Sequence, residues 1–209
     1  MINFFKALPA AAAATLILAS PAHASITFSF TELGGSVKMQ TSGTLNTANL
    51  VQVAASGWGG VGVYSSPPAQ SDILGDTSMG SVNTAFGFHK GTNLSAWFGN
   101  MFTSSNFNWT SLGTTQFATY YTLSGLYTPG IAISSADMVG SLWTPDVSWT
   151  SVGTFTSLGL TGGTYAITDA NTNESMTIQI GQTVPEPSTL ALIGFGLAGL
   201  AYSRKRKAK

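Results

Sequence analysis

The sequence predicts an all-β domain, an antiparallel β-sandwich of jelly-roll type, between an N-terminal signal peptide and a C-terminal short transmembrane helix. Three observations predict it. Apolar and hydroxyl residues alternate with period two through the middle of the 209-residue chain, the pattern of half-buried strands. Ser and Thr supply 47 of residues 25–183, with glycine recurring between the alternating runs. An uncharged apolar run stands near each end, with basic residues on its terminal side.

Residues 1–24 read as the signal peptide. Lys6 is the basic start, Ala10 to Ala14 and Leu16 to Ala19 are the apolar run, and Ala22-His23-Ala24 places small residues where a signal peptidase inspects them. The cut falls between Ala24 and Ser25. Residues 25–183 form the β domain. Ile26, Phe28 and Phe30 alternate with Thr27, Ser29 and Thr31, and Val37 and Met39 with Lys38 and Gln40. Near the end, Tyr165 and Ile167 alternate with Ala166 and Thr168, and Met176, Ile178 and Ile180 with Thr177, Gln179 and Gly181. Glu32-Leu33-Gly34-Gly35 reads as the first hairpin loop and residues 169–174 as the last; Gly59-Gly60, Ser65-Ser66-Pro67-Pro68 and Gly162-Gly163 are further breaks. One short helix is expected around residues 134–142.

Residues 184–209 follow. Val184-Pro185-Glu186-Pro187 opens them extended, because two prolines fix φ and remove helix donors. Residues 188–203 are uncharged, and Arg204, Lys205, Arg206 and Lys207 close the segment. As a helix, 16 residues run about 24 Å, short of the roughly 30 Å hydrocarbon core. Snorkelling basic stems and local thinning let such a segment hold a membrane as a marginal anchor, with the basic cluster cytoplasmic.

The net charge of zero hides this layout. Residues 25–184 carry two cations against seven carboxylates, and the cations gather after residue 203. Only 8% of residues are charged and none is cysteine. That excludes a disulfide framework, a Cys-based metal site, thiol chemistry and a basic nucleic-acid surface. No cofactor and no metal are expected.

Chemistry is sparse in the domain. His89 is the one histidine after residue 24, next to a turn, and too few for a His-rich zinc site. Asp72 and Asp76 lie four apart and would suit a carboxylate-dependent hydrolase if they converged; acids in a solvated loop are the plainer reading. Residues 169–174 offer oxygens at the first positions of a calcium loop, but Glu174 stands where glycine is needed and Ile180 where glutamate is. A hairpin turn wants the same residues. Trp97, Trp109 and Tyr120 are candidates for a glycan-stacking surface, the alternative being that they fill the core.

Pro185-Glu186-Pro187, a short apolar segment and a terminal Arg/Lys cluster together resemble the PEP-CTERM sorting signal of Gram-negative bacteria. The resemblance implies recognition by an exosortase that cuts near Pro-Glu-Pro, and an association with exopolysaccharide and biofilm matrix. Gly34-Gly35-Ser36-Val37, Ser42-Gly43-Thr44-Leu45-Asn46-Thr47 and the stretch from Thr154 to Tyr165 resemble ectodomains found before such tails, which carry no assigned catalytic residues. The reading that follows is an exported, non-enzymatic surface or matrix protein, handled by signal peptidase and exosortase, held transiently at the inner membrane, with exopolysaccharide as a further partner. A carbohydrate-binding module is the alternative.

N-terminal sequencing of the exported protein should begin at Ser25; a mature form that still begins at Met1 contradicts the signal reading.

Overall fold

The computed structural model describes residues 24–55, 58–66, 70–120 and 129–181. The apolar run of the signal peptide, Ala22, and everything from Val184 to the basic cluster lie outside the described residues. Among the described residues no helix is long and apolar enough to cross a membrane, and the expected membrane segment falls outside them.

The chain is all-β. Its first strands are β1 (Ser25–Leu33), β2 (Ser36–Gly43), β3 (Leu45–Asn46), β4 (Val51–Val53) and β5 (Val61–Tyr64). Next come β6 (Ile73–Asp76), β7 (Thr84–Gly87), β8 (Thr110–Ser111), β9 (Phe117–Tyr120) and β10 (Gly130–Ile133). The last are β11 (Met138–Val139), β12 (Leu142–Trp143), β13 (Ser148–Val152), β14 (Gly163–Thr168) and β15 (Ser175–Ile180). They form two six-stranded sheets, β14-β15-β1-β2-β13-β8 and β4-β7-β10-β9-β6-β5, and a small one, β11-β12-β3.

Alternation decides the faces. Ile26, Phe28 and Phe30 of β1, Val37 and Met39 of β2, and Met176, Ile178 and Ile180 of β15 are all buried, while the residues between them point to the other face. Gly34 and Gly35 turn β1 into β2 with φ of +60° and +76°, the two-residue hairpin geometry that glycine alone enters without strain. Leu33 pairs with Ser36 across it.

The wholly antiparallel sheet expected from sequence is corrected at one pairing. β1 runs parallel to β15, from Ser25 opposite Ser175 to Phe30 opposite Ile180, and antiparallel to β2. Alternation reports which face a residue takes and is silent about the partner strand, so this pairing had no local signal. The helix expected around residues 134–142 is also corrected. Ser135–Asp137 make a single 3-10 turn capped by the Ser134 hydroxyl, which accepts from the Ala136 N–H. The chain then folds into the β11–β12 hairpin through Gly140 at φ +62°. Four residues without apolar helical spacing cannot hold a longer helix against a glycine turn.

The inner faces of the two large sheets share one apolar core. Phe117 of β9 stacks on Phe28 of β1 with ring centroids 5.0 Å apart. It also stacks on Trp149 of β13 at 5.9 Å and an interplanar angle of 11°. Phe30 meets Trp109 and Trp149 edge-on. Asp76 of β6 crosses the same interface: its carboxylate accepts from the Trp149 indole N–H at 2.7 Å and from the Ser111 hydroxyl.

Phe117→Ala should lower unfolding free energy by about 3–5 kcal/mol, because it leaves a void between two sheets. Urea unfolding measures it; a loss under about 1 kcal/mol contradicts the stacked core.

Candidate functional site

The proposed glycan-stacking residues are corrected first. Trp97 is 0% exposed, Trp109 6% and Tyr120 3%, so none offers a ring face to a sugar. The Trp97 indole N–H donates to the Tyr165 carbonyl at 2.9 Å and fastens the Ser95–Trp97 turn to β14. Trp109 packs on Phe30 and Trp149. Burial alone pushes the Tyr120 phenol well above its ordinary range, keeping it protonated. In a two-sheet core the large rings fill the gap between sheets.

The acids are corrected next: Asp72 and Asp76 are buried, not solvated. One Asp72 oxygen accepts from the Ser66 N–H, the other from the N–H groups of Met101 and Phe102, all at 2.9 Å. Burial pushes its carboxyl up and those N–H groups offset this only in part. Asp76 also accepts from the Ser78 N–H and hydroxyl. The two share no partner: Asp72 bonds Ser66, Met101 and Phe102, and Asp76 bonds Ser78, Ser111 and Trp149. Asp137 accepts from the Gln116 N–H and Asp146 from the Thr114 hydroxyl. Each acid has its own separate hydrogen-bond donors.

The loop of residues 169–174 does join β14 to β15, and its first residue does more than turn the chain. Asp169 is 1% exposed. Its Oδ1 accepts from the N–H groups of Asn171 and Thr172 and from the Thr172 hydroxyl. Its Oδ2 accepts from the His89 N–H at 2.6 Å and lies 3.0 Å from His89 Nδ1. Burial on its own pushes this carboxyl up, but the N–H groups of His89, Thr172 and Asn171 outweigh it and hold it below the ordinary range. Among the described residues no group of three or more His, Cys, Asp or Glu is placed to hold a metal. The oxygens of Asp169 accept instead from N–H groups and the Thr172 hydroxyl.

His89 follows β7 in one large sheet and Asp169 follows β14 in the other, so the pair ties the sheets at one end of the domain. Sequence places His89 at a strand end next to a turn and names no partner for it. Its partner is 80 positions away, and the only local hint was an Asp opening an Asx-rich turn. Beside the pair lies a cavity of about 400 Å³ lined by Asn46, Asn49, His89, Asn171, Thr172 and Glu174. Glu174 is buried, and one of its oxygens accepts from the Asn46 N–H at 2.9 Å.

Of the expected processing sites, Ala24 and Ser25 are among the described residues. The Ala24 carbonyl accepts from the Ser175 N–H, and the Ser175 hydroxyl donates to that of Ser25 at 2.9 Å, so the junction is paired to β15. At the other end the Gly181 N–H donates to the Phe30 carbonyl at 3.0 Å. The sorting residues Val184, Pro185, Glu186 and Pro187 and the basic cluster Arg204 to Lys207 lie outside the described residues.

Comparison with known proteins bears on that segment. Residues 183–207 match the PEP-CTERM protein-sorting motif. No curated protein and no solved structure matches the chain. The motif marks the chain for export and for membrane-associated sorting by an exosortase toward the cell surface.

A carboxyl held below its ordinary value stabilises the fold above the unfolded pKa of about 3.9 and loses that effect as pH falls through its own lower pKa. Asp169 should therefore titrate below the ordinary aspartate range by carboxyl ¹³C NMR, with the 169–174 hairpin loosening as it protonates. Asp169→Ala should cost about 2–4 kcal/mol at neutral pH, because several buried N–H groups lose their acceptor. Titration at or above the ordinary value contradicts this.

Proposed function

We propose that the chain is a non-enzymatic surface or matrix protein whose β domain, residues 25–183, is the cargo of its two terminal segments. The observation that carries this is the match of residues 183–207 to the sorting motif, immediately after a strand that completes a packed sheet. In this reading the signal peptide takes the chain across the inner membrane and signal peptidase cuts after Ala24. The short apolar segment at 188–203 then holds the protein, with Arg204 to Lys207 inside, while the exosortase works at Pro-Glu-Pro. The two-sheet sandwich is passed on to the cell surface or the exopolysaccharide matrix.

Two features support the non-enzymatic part. Asp72, Asp76, Asp137 and Asp146 are each held by separate structural hydrogen bonds, and Trp97, Trp109, Trp143 and Trp149 are spent on packing. The geometry of the chain end suits the sorting part. β15 stays bonded to β1 as far as Gly181, and four residues reach at most about 14 Å. The protease therefore works within that distance of a folded edge. Two prolines, lacking N–H donors, disfavour pairing of Pro-Glu-Pro into that sheet.

Replacing Pro185 and Pro187 with alanine should leave the full-length form accumulating in the membrane fraction, while the unaltered protein yields a shorter exported form. Immunoblotting of fractions with mass spectrometry of the C terminus reads this. Unchanged processing in the double variant, or full-length protein resident in the cytosol, overturns the proposal.

A further inference from the structure

The His89 cavity has the chemistry of a ligand site, and nothing in the sorting motif uses it. Three segments build it: the turn after β3 that carries Asn46 and Asn49, the exit of β7 with His89, and the β14–β15 hairpin with Asn171, Thr172 and Glu174. All six lining side chains are polar. Its volume of about 400 Å³ is within the range of small-molecule sites.

The hydrogen-bonding roles are set by the groups behind the wall. The Asp169 side chain is 0% exposed and that of His89 26%. An ionised carboxylate only accepts, so Asp169 fixes a proton on His89 Nδ1 and leaves Nε2 as the ring nitrogen free to meet a ligand. Asn46 Oδ1 accepts from the Ala48 N–H at 3.1 Å, which turns its NH₂ donors outward from that bond. Asn49 and Asn171 are exposed and each supplies a donor and an acceptor. Thr172 is bonded on both sides, donating to Asp169 and accepting from the Glu174 N–H at 3.2 Å, so it stiffens the wall. Donors and acceptors therefore alternate around a rim that the hairpin holds rigid.

The same inventory selects the ligand. Carboxylates at Glu174 and Asp169, with no lysine or arginine in the lining, oppose an anion. The polar lining gives an apolar molecule nothing to bury against. A divalent cation lacks a cluster of three acidic, histidine or cysteine ligands among the described residues. A neutral polyol meets every requirement, because each hydroxyl both donates and accepts. We propose that this cavity binds one neutral sugar residue of a saccharide. It grips the hydroxyl edge through His89 Nε2 and the amides of Asn46, Asn49 and Asn171. Without a stacking ring the grip is weak per residue, and a polymer offering many residues to many copies would make it effective.

The test uses the purified exported protein and two-dimensional NMR of the His89 ring and the asparagine side-chain amides. The probes are glucose, galactose, mannose, N-acetylglucosamine and short neutral oligomers of them, with sodium glucuronate and calcium chloride in separate arms. At least one neutral saccharide should shift the His89 and Asn171 signals saturably. Asn49→Ala and Asn171→Ala change exposed side chains. Each should weaken that binding by about tenfold or more, roughly 1.4 kcal/mol, with the thermal midpoint unchanged. No saturable shift across the neutral panel overturns the proposal, as do shifts that both variants leave intact. Tighter binding of glucuronate, or saturation of the same signals by calcium chloride alone, overturns it in favour of an anion or a cation. None of these readouts depends on processing at Pro-Glu-Pro.

Discussion

β1 sits between the strand that follows it and the last strand of the domain, and the rest of the architecture depends on that position. Its three inward residues, Ile26, Phe28 and Phe30, are each 0% exposed. They touch the facing sheet through Phe117 and their own sheet through Trp109 and Trp149. Pairing with β2 is local and needs only a glycine turn. Pairing with β15 joins residues 150 positions apart, and the loop-closure entropy of that contact is met only by burying both strands together. The sheet therefore closes only once residues 175–180 are in place, just ahead of the sorting motif. Ala24 and Ser25 become bonded to Ser175 in the same step.

A domain with so few charges uses its carboxylates as fasteners. Asp76 joins β6 to Trp149 across the core, Asp169 joins the last hairpin to His89, and Asp72 gathers the backbone of Ser66, Met101 and Phe102. Buried acids are tolerated where N–H or O–H donors replace water. The two with resolved shifts lean opposite ways. Asp169 is held low and supports the fold above the ordinary carboxyl pKa. Asp72 is held high by burial, so its contribution is greatest when protonated and falls away as pH rises through its raised pKa.

What the sequence made legible follows from how local each signal is. Strand faces in β1, β2 and β15 were readable because alternation is a two-residue property, and the Gly34-Gly35 turn because positive φ leaves a residue-level mark. The sorting motif is linear and was readable in full. The parallel β1–β15 pairing, the order of strands within sheets and the partners of Asp72, Asp76 and Asp169 were not. Each depends on which distant segment arrives, and a solvated aspartate and a buried one look alike in a string of letters. The aromatics showed the same ambiguity: Trp97 and Trp109 look as suited to a sugar platform as to a core until burial is known. The His89 cavity is assembled from three segments spread over more than a hundred residues, and no spacing rule could have joined them.

The most direct measurement is native-state hydrogen exchange on the exported protein, read at residues 26–30 and 176–180. The expected result is that both strands exchange only through global unfolding and share one opening free energy. Opening of 176–180 at much lower free energy, while 26–30 stays protected, would mean that the last strand is an appendage and that the domain closes without it.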